Sequence, residues 1–453
     1  MSDARFSGMR AFWAVWTGLL VSFTGSGFTR FALSVWVYQE GRDAEAFALL
    51  LFFGIIPISV GSLVAGPLVD RWDRKSVLII STALARVPTL MVMLLWWQGG
   101  LELWHVYLAV AVNGLANAFV LPAFDASVRL LVPAERLGQA SGFSQLIQSL
   151  GVVVGPPLAG YFLVAFGLGA IFVVDVASAA LALLALALAR VPRPARTSAR
   201  GASVWGDFVS GLRYVADRPA FVFLAGFLAL TVFGSAFVYA LSGPLVLGFG
   251  DEATLGLVYA AYGSGAVAGA LVIGAWGGPA RRIPGILIAT LIKGIATVLV
   301  AVRADQLWIT STIAVLGAAQ AVLLALNRVV FQEHAAAEVL GRVFAFRLVL
   351  TAAAQAAGIL VAGSLAERVF EPAMAPGGTL EAWFGSLLGS GEGRGAALLL
   401  VMVGLGLAAL ALASLASARV RRLEDGLVTQ EASAGAHGAS GDAAAIPGSE
   451  PAN

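Results

Sequence analysis

Six ionisable side chains interrupt long apolar stretches of this sequence: Arg30, Arg86, Asp125, Asp175, Lys293 and Arg347. An ion held in hydrocarbon costs on the order of 3 kcal/mol or more, so each of the six needs a partner, a route to the surface or a task. Two kinds of chemistry are open to them. A carboxylate withdrawn from water can bind and release a proton, which makes Asp175, well inside its stretch, and Asp125, at the edge of one, candidates for a coupling proton. Cations outnumber anions four to two, so a pocket containing Arg30 and Arg347 leans towards molecules bearing a carboxylate or phenolate. Neutral polar stripes accompany them at helical spacing: Ser22, Ser26 and Arg30; Asn113 and Asn117; Thr231, Ser235 and Tyr239; Gln320 and Asn327.

The elements that must position these groups are membrane helices. Apolar residues make up 59% of 453 positions and charged residues 12%, against about 25% charged in soluble domains. A span needs about 20 apolar residues, and twelve stretches qualify, near 11–38, 46–69, 77–97, 104–124, 139–163, 168–190, 219–247, 253–277, 283–303, 306–326, 341–365 and 395–418. The first is longer than a signal-peptide core and is expected to stay as a span. With no cysteine and three scattered histidines, His105, His334 and His437, no metal site, catalytic residue or cofactor is expected. "GSGAVA" at 263–268 imitates a dinucleotide fingerprint but lies inside an apolar span with no strand before it, so it reads as helix packing. No phosphate-binding loop appears, and nothing points to nucleic acid.

Charge placement sets orientation. "GPLVDRWDRK" (66–75) gathers Asp70, Arg71, Asp73, Arg74 and Lys75 between two spans. Most of the Lys and Arg residues fall on the same side as this loop if the N-terminus is inside, which predicts two cytoplasmic termini and residence in the cell membrane. The chain also repeats itself: "AERLGQASGF" (134–143) aligns with "AEVLGRVFAF" (337–346), and the same offset superposes Gly155 on Gly358 and Gly160 on Gly363. The fold class predicted is an all-α membrane protein of twelve transmembrane helices in two pseudo-symmetric six-helix bundles, a parallel duplication. Residues 1–190 form the N-terminal bundle, 191–218 a cytoplasmic linker, 219–422 the C-terminal bundle and 423–453 a disordered tail of Ala, Gly and Ser.

From about residue 10 to 420 the sequence resembles the major facilitator superfamily. Gly66, Leu68, Asp70, Arg71, Arg74 and Lys75 match its loop signature Gly-x-Leu-Ala-Asp-Arg-x-Gly-Arg-Lys, with Asp73 in the place of a glycine. "FALSVWVYQE", "LPAFDASVRLLVPAERLGQASGFSQ" and "VFEPAMAPGG" are similar to the branch holding enterobactin exporters and macrolide efflux permeases. The resemblance implies a gating latch: Gly66 lets helices approach, Asp70 faces the positive end of the eleventh span near Gly341, and Arg74 pairs with Asp125, with Arg71 and Lys75 as anchors. It also implies that the first, fourth, seventh and tenth spans line a cavity, which makes the four polar stripes substrate candidates. The third and sixth lie outside, so Arg86 and Asp175 read as an ion pair beside the proton-carrying reading of Asp175. Lys293 has no partner nameable from sequence, and Arg347 either snorkels or joins the latch.

"GVVVGPPLAG" places Gly151, Gly155, Pro156, Pro157 and Gly160 in the fifth span. It is similar to the superfamily's antiporter signature, with Ala159 replacing one glycine. Small residues at i, i+4 permit tight contact, and the prolines remove backbone donors and bend the helix. The expected function is export of a small amphipathic organic molecule (drug, macrolide or siderophore-like) by alternating access with proton antiport, from a monomer in the lipid bilayer. The alternatives are an uptake permease or facilitator for a small metabolite, and a non-transporting membrane sensor. An enzyme is not expected.

Overall fold

A computed structural model describes residues 8–41, 43–133, 153–190, 204–335, 339–389, 391–418 and 420, and within the fifth-span region residues 136, 139, 140, 143, 144, 146, 147 and 151. Of residues 66, 67, 70, 71, 129, 204, 205 and 207 only the backbone is described. The predicted tail and the linker portion 191–203 lie outside the described residues.

The described chain is helical. In order it forms α1 (Gly8–Gly41), α2 (Ala44–Arg71), α3 (Arg74–Leu84), α4 (Val87–Trp97), α5 (Leu103–Leu131), α6 (Gly155–Leu188), α7 (Val204–Ala216), α8 (Pro219–Leu247), α9 (Glu252–Trp276), α10 (Arg282–Val302), α11 (Gln306–His334), α12 (Leu340–Leu365), α13 (Glu371–Met374), α14 (Glu381–Leu388) and α15 (Arg394–Ala416). A π turn, Ala366–Phe370, carries α12 into α13. Among the described residues, eleven helical runs are long and apolar enough to cross a membrane. One break lies inside a single span, and a second marks where two of the twelve predicted spans are joined into one run. Helices α3 and α4 are one span broken at Ala85–Arg86. Helix α6 contains Gly167 at φ 75°, ψ 176°, a left-handed value that ends the fifth span and starts the sixth within one continuous run.

Local chemistry sets the helix ends. Asp43, Asp73, Asp251 and Asp305 stand at the N-caps of α2, α3, α9 and α11, each accepting a backbone N–H three residues on, as with Asp251 and Thr254 N at 2.8 Å. A carboxylate there satisfies an orphan donor and faces the positive end of the helix dipole. Asp73, which breaks the loop signature, is thereby accounted for: its Oδ2 accepts from Ser76 N and Oγ at 3.2 and 2.6 Å. Lys75 complements the opposite pole, donating to Ala187 O and Ala189 O at 3.0 and 2.6 Å at the C-terminal end of α6.

One part of the predicted linker is not a plain connector. Residues 204–216 fold as α7, whose Phe208 ring lies 5.8 Å from that of Phe346 on α12. An amphipathic pattern with apolar residues on one face has a core to bury it against.

The first six spans pack among themselves, as α1 does on α6 and α2 on α5; so do the last six, as α9 does on α11 and α10 on α15. Between the two sets, α2 crosses α12 and α6 crosses α9. The described hydrogen bonds joining the sets all lie at the end remote from the 72–73 loop. Gln39 Nε2 donates to Glu252 Oε1 at 2.6 Å, Ala44 N to Glu367 Oε2 at 3.0 Å, and Arg368 holds Glu45 through Nε and Nη2 at 3.1 and 2.8 Å.

Candidate substrate cavity and buried ion network

The small-residue seam is a contact between the two sets of spans. A Cβ on Gly160 would come within 2.6 Å of Glu252 O, and one on Gly256 within 2.6 Å of Pro156 O, so α6 and α9 touch backbone to backbone. Only glycine permits that approach. Gly151 and Pro156 border the cavity directly, while Gly155 and Pro157 sit on the same stretch of α6, Pro157 against Gly256.

Where the sets part, they enclose a cavity of about 320 Å³. Its floor is Arg30 of α1, an exposed side chain that points into the space with Phe31 and Ser34 beside it. Ser235, Tyr239 and Ser242 come from α8, Tyr259 and Tyr262 from α9, and Gln355 from α12. A side pocket of about 120 Å³ continues from Arg30 and Tyr239 to Asn113 and Asn117 on α5. The asparagines are ordered by a chain in which Asn117 Nδ2 donates to Asn113 Oδ1 at 2.8 Å and Asn113 Nδ2 to Ala85 O at 2.8 Å. The structure therefore brings together Arg30, Asn113, Asn117, Ser235 and Tyr239 as the sequence predicted.

The other stripe residues stand in the wall behind. Ser22 and Ser26 are buried, Ser26 Oγ donating back to Ser22 O at 3.0 Å, and Ser26 reaches only a minor recess. Thr231 and Gln320 are buried next to Ser235, whose Oγ lies 2.9 Å from Thr231 O and 3.1 Å from Gln320 Oε1. Asn327 is fully buried and its Oδ1 accepts from Arg347 Nη2 at 2.5 Å. That bond, with the Arg347 guanidinium 4.4 Å from the Phe331 ring centre, pins Arg347 inside the bundle, so it neither snorkels nor opens onto the cavity.

Sequence reasoning missed Tyr259, Tyr262 and Gln355. Gln355 had as its signal only its polar type within an apolar span. The tyrosines had none beyond their type.

Asp175 and Arg86 meet in a buried cluster beside this cavity, where Asp175 lines the minor recess that Arg30 and Ser26 also border. Arg86 Nε is 3.4 Å from Asp175 Oδ1, both buried. Arg86 Nη2 also donates to Ser22 O at 3.2 Å and Ser22 Oγ at 2.5 Å. Asp175 Oδ2 accepts from Thr29 at 3.0 Å and from Thr89 at 3.1 Å. Five groups from the first, third and sixth spans are thus joined, Arg86 and Asp175 as the ion pair and Ser22, Thr29 and Thr89 as its hydrogen-bond partners, with Arg86 standing at the break between α3 and α4.

The latch is described in part. The side chains of Asp70, Arg71 and Gly66 lie outside the described residues, though their backbone closes α2. Arg74 does not take the partner expected of it: its Nη1 donates to Ala126 O at 3.2 Å, one residue beyond Asp125. Asp125 is exposed at the inner edge of its span, and a backbone carbonyl at the end of α5 offers Arg74 an acceptor without fixing two long side chains together. Gly341 lies exposed in the first turn of α12 with open space at its Cα.

A helical membrane body whose two sets of spans meet at one end and enclose a polar, partly aromatic cavity has the architecture of a transporter. The chain belongs to the Major Facilitator Superfamily, whose family model matches residues 15–359. It is 24% identical to macrolide efflux protein A of Streptococcus pyogenes over 369 residues, 79% of this chain and 90% of that protein. It is 26% identical to the multidrug efflux pump Tap of Mycolicibacterium fortuitum over 358 residues, 77% and 87% of the two chains. In fold it is similar to a bacterial homologue of the lysosomal transporter Spinster in an inward-facing, unoccupied conformation (TM-score 0.68, 14% identity, 89% of this chain and 96% of that one). The nucleoside transporter NupG is alike to the same degree (TM-score 0.68, 13% identity, 89% and 99%).

Proposed function

We propose that the chain exports a small amphipathic organic molecule across the cell membrane by alternating access, in exchange for protons, acting as a monomer with both termini in the cytoplasm. Residues 1–190 and 219–422 are the two rocking bundles. The carrying observation is the central cavity with an unshared guanidinium, Arg30, between walls of tyrosine and aliphatic carbon, closed at one end by hydrogen bonds among the described residues. With the basic 66–75 loop cytoplasmic, the closed end is the outer one, and the cavity awaits a molecule from the cytoplasm. The efflux proteins it resembles support the outward direction.

The residues divide the work. Arg30 attracts a carboxylate, phenolate or polarised carbonyl, and Tyr239, Tyr259 and Tyr262 stack the apolar body. Asp70 and Arg74 latch the inner gate once the bundles rock, Asp70 against the dipole of α12 near Gly341. Asp175 is a structural partner of Arg86 rather than the proton carrier, because its charge is already matched by one cation and two hydroxyls.

Everted membrane vesicles with an acid interior test the reading, with a radiolabelled macrolide as probe and vesicles lacking the protein as the control for passive trapping of a weak base. Export activity appears as uptake that collapses with the pH gradient. Normal uptake by Asp70→Asn would remove the latch from the mechanism, and uptake indifferent to the gradient would remove proton exchange.

A further inference from the structure

The two sets of spans treat their buried cations differently. In the first set, Arg86 on the third span faces Asp175 on the sixth. In the second set the corresponding helices are α10 and α15, and the buried cation is Lys293, 0% exposed. There α15 offers no acid: a Cβ on Gly294 would lie 2.7 Å from Ala408 N and 2.8 Å from Gly404 O, a backbone approach that leaves no space for a carboxylate. Lys293 Nζ instead donates to two neutral groups of α8, Thr231 O at 2.6 Å and Ser235 Oγ. Among the described residues no carboxylate comes within ion-pair distance of it.

The surrounding elements do not supply charge from further away in the span. Helix α10 itself carries only Arg282, at its start, and α15 only Arg394, also at its start. Helix α11 keeps Arg328, Glu333 and His334 for its last two turns, and the Glu381 of α14 sits in that short helix's first turn. Helix α8 contributes one titratable group, Tyr239, a turn beyond Ser235 and facing the cavity. Arg347 on α12 is committed to Asn327.

Residue choice sharpens the contrast. Of the 28 Lys and Arg residues only two are lysine, Lys75 and Lys293. Lys75 caps carbonyls at a helix end. An arginine keeps its proton in every protein setting, whereas an ammonium can shed one when water is withdrawn. A chain that builds nearly all its cations from arginine has put one of its two dischargeable cations in its driest position, one hydrogen bond from the cavity wall.

We propose that Lys293 binds and releases the coupling proton during transport, and that Ser235 carries its state to the cavity; this rests on the exporter reading above. With Nζ as an ammonium, Lys293 donates to one lone pair of Ser235 Oγ and one of Thr231 O, so the Ser235 proton goes to Gln320 Oε1 or to the second lone pair of Thr231 O. When the ammonium gives a proton to water on the cytoplasmic side, the amine gains a lone pair and accepts the Ser235 hydroxyl. Gln320 Oε1 then loses its donor and becomes an acceptor open to a molecule seated against Ser235. Loss of the proton and arrival of substrate favour each other, and reprotonation from outside favours release.

Two lysines make the test direct. Lysine labelled with ¹³C at Cε, in a Lys75→Arg background, gives one signal, that of Lys293, in lipid nanodiscs. It is expected to pass from ammonium to amine over the pH range in which gradient-driven macrolide uptake changes. Lys293→Arg, permanently charged, and Lys293→Met, never charged, are both expected to lose accumulation against a gradient by about tenfold or more, while still equilibrating the macrolide down its gradient. A Lys293 signal that stays ammonium throughout that range, or a Lys293→Arg protein that accumulates macrolide like the wild type, overturns the proposal. Should the wild type move no macrolide, the exporter reading fails for that probe, and the Lys293 signal with the pH dependence of proton release from purified protein still decides the proton site.

Discussion

Arg86 Nε stands 3.4 Å from Asp175 Oδ1 at the junction of the first, third and sixth spans, with neither side chain reaching the cavity. Removing one partner of a buried pair leaves an uncompensated ion, at a cost of about 3–5 kcal/mol, whereas replacing both by apolar residues is often neutral. Asp175→Asn is therefore expected to lower the thermal stability of the detergent-solubilised protein sharply, and Asp175→Leu combined with Arg86→Met to restore most of it. Thermal unfolding followed by tryptophan fluorescence measures both. An Asp175→Asn protein of wild-type stability that pumps without regard to pH would return Asp175 to the proton pathway.

Arg30 makes a different kind of demand, because its exposed guanidinium faces the cavity and no described hydrogen bond or ion pair ties it to the bundle. Arg30→Ala is expected to leave stability within about 0.5 kcal/mol and to raise the KM for a substrate bearing a carboxylate or phenolate by about tenfold or more, the equivalent of ~1.4 kcal/mol. Arg30→Lys, which keeps the charge without the planar fork, should recover part of this. Transport kinetics with paired substrates, one acid and its methyl ester, separate the charge effect from packing: equal losses for both would mean Arg30 only shapes the space.

What the sequence revealed depended on how many candidates competed. Asp175 was the one carboxylate deep in a span, so its pairing with Arg86 could be read from the helices that carry them. From the stripes on α1, α5 and α8, residues Arg30, Asn113, Asn117, Ser235 and Tyr239 reached the cavity, whereas Ser22, Ser26 and Thr231 stayed in the wall behind, because residues four apart share a helical face but that face turns slowly along the helix. Arg74 defeated the same logic, since a backbone carbonyl, which no sequence displays, took the place of Asp125. Glu45 and Arg368 were invisible for another reason: 323 residues separate them, and only the crossing of α2 over α12 brings them together. The break at Gly167 falls in the gap between 139–163 and 168–190, read from the sequence as separate spans, and a glycine there is what the left-handed turn requires.

The cap of α9 gives a pH signature outside the membrane. Asp251 Oδ1 accepts from Thr254 N at 2.8 Å and Thr254 Oγ1 at 2.7 Å, and these hydrogen bonds hold its carboxyl below the ordinary value. A group lowered on folding contributes in full above its unfolded value, about 3.9, and loses that contribution as pH falls through the folded one. Asp251→Ala is thus expected to cost on the order of 1 kcal/mol at neutral pH, with no change between roughly pH 6 and 8, and to converge with the wild type only below about pH 4. Melting temperatures across that range check the sign.

The contact that closes the outer end should be weak enough to open. Arg368 grips Glu45 through two nitrogens, but the arginine side chain is 70% exposed and the glutamate 28%, and exposed pairs are worth only about 0.2–1 kcal/mol. A change of about 1 kcal/mol moves a two-state equilibrium roughly fivefold, which suits a gate better than a clamp. Because the chain has no cysteine, a single Ser34→Cys in the cavity wall reports opening through its labelling by a membrane-impermeant maleimide added from that side. Glu45→Gln is expected to speed labelling by up to about fivefold. The exchange Glu45→Arg with Arg368→Glu should slow it again, and high salt should speed the wild type towards the Glu45→Gln rate. Labelling that ignores all three changes would place the closure in the Gly160–Glu252 and Gly256–Pro156 seam, where backbones touch and charge has no part.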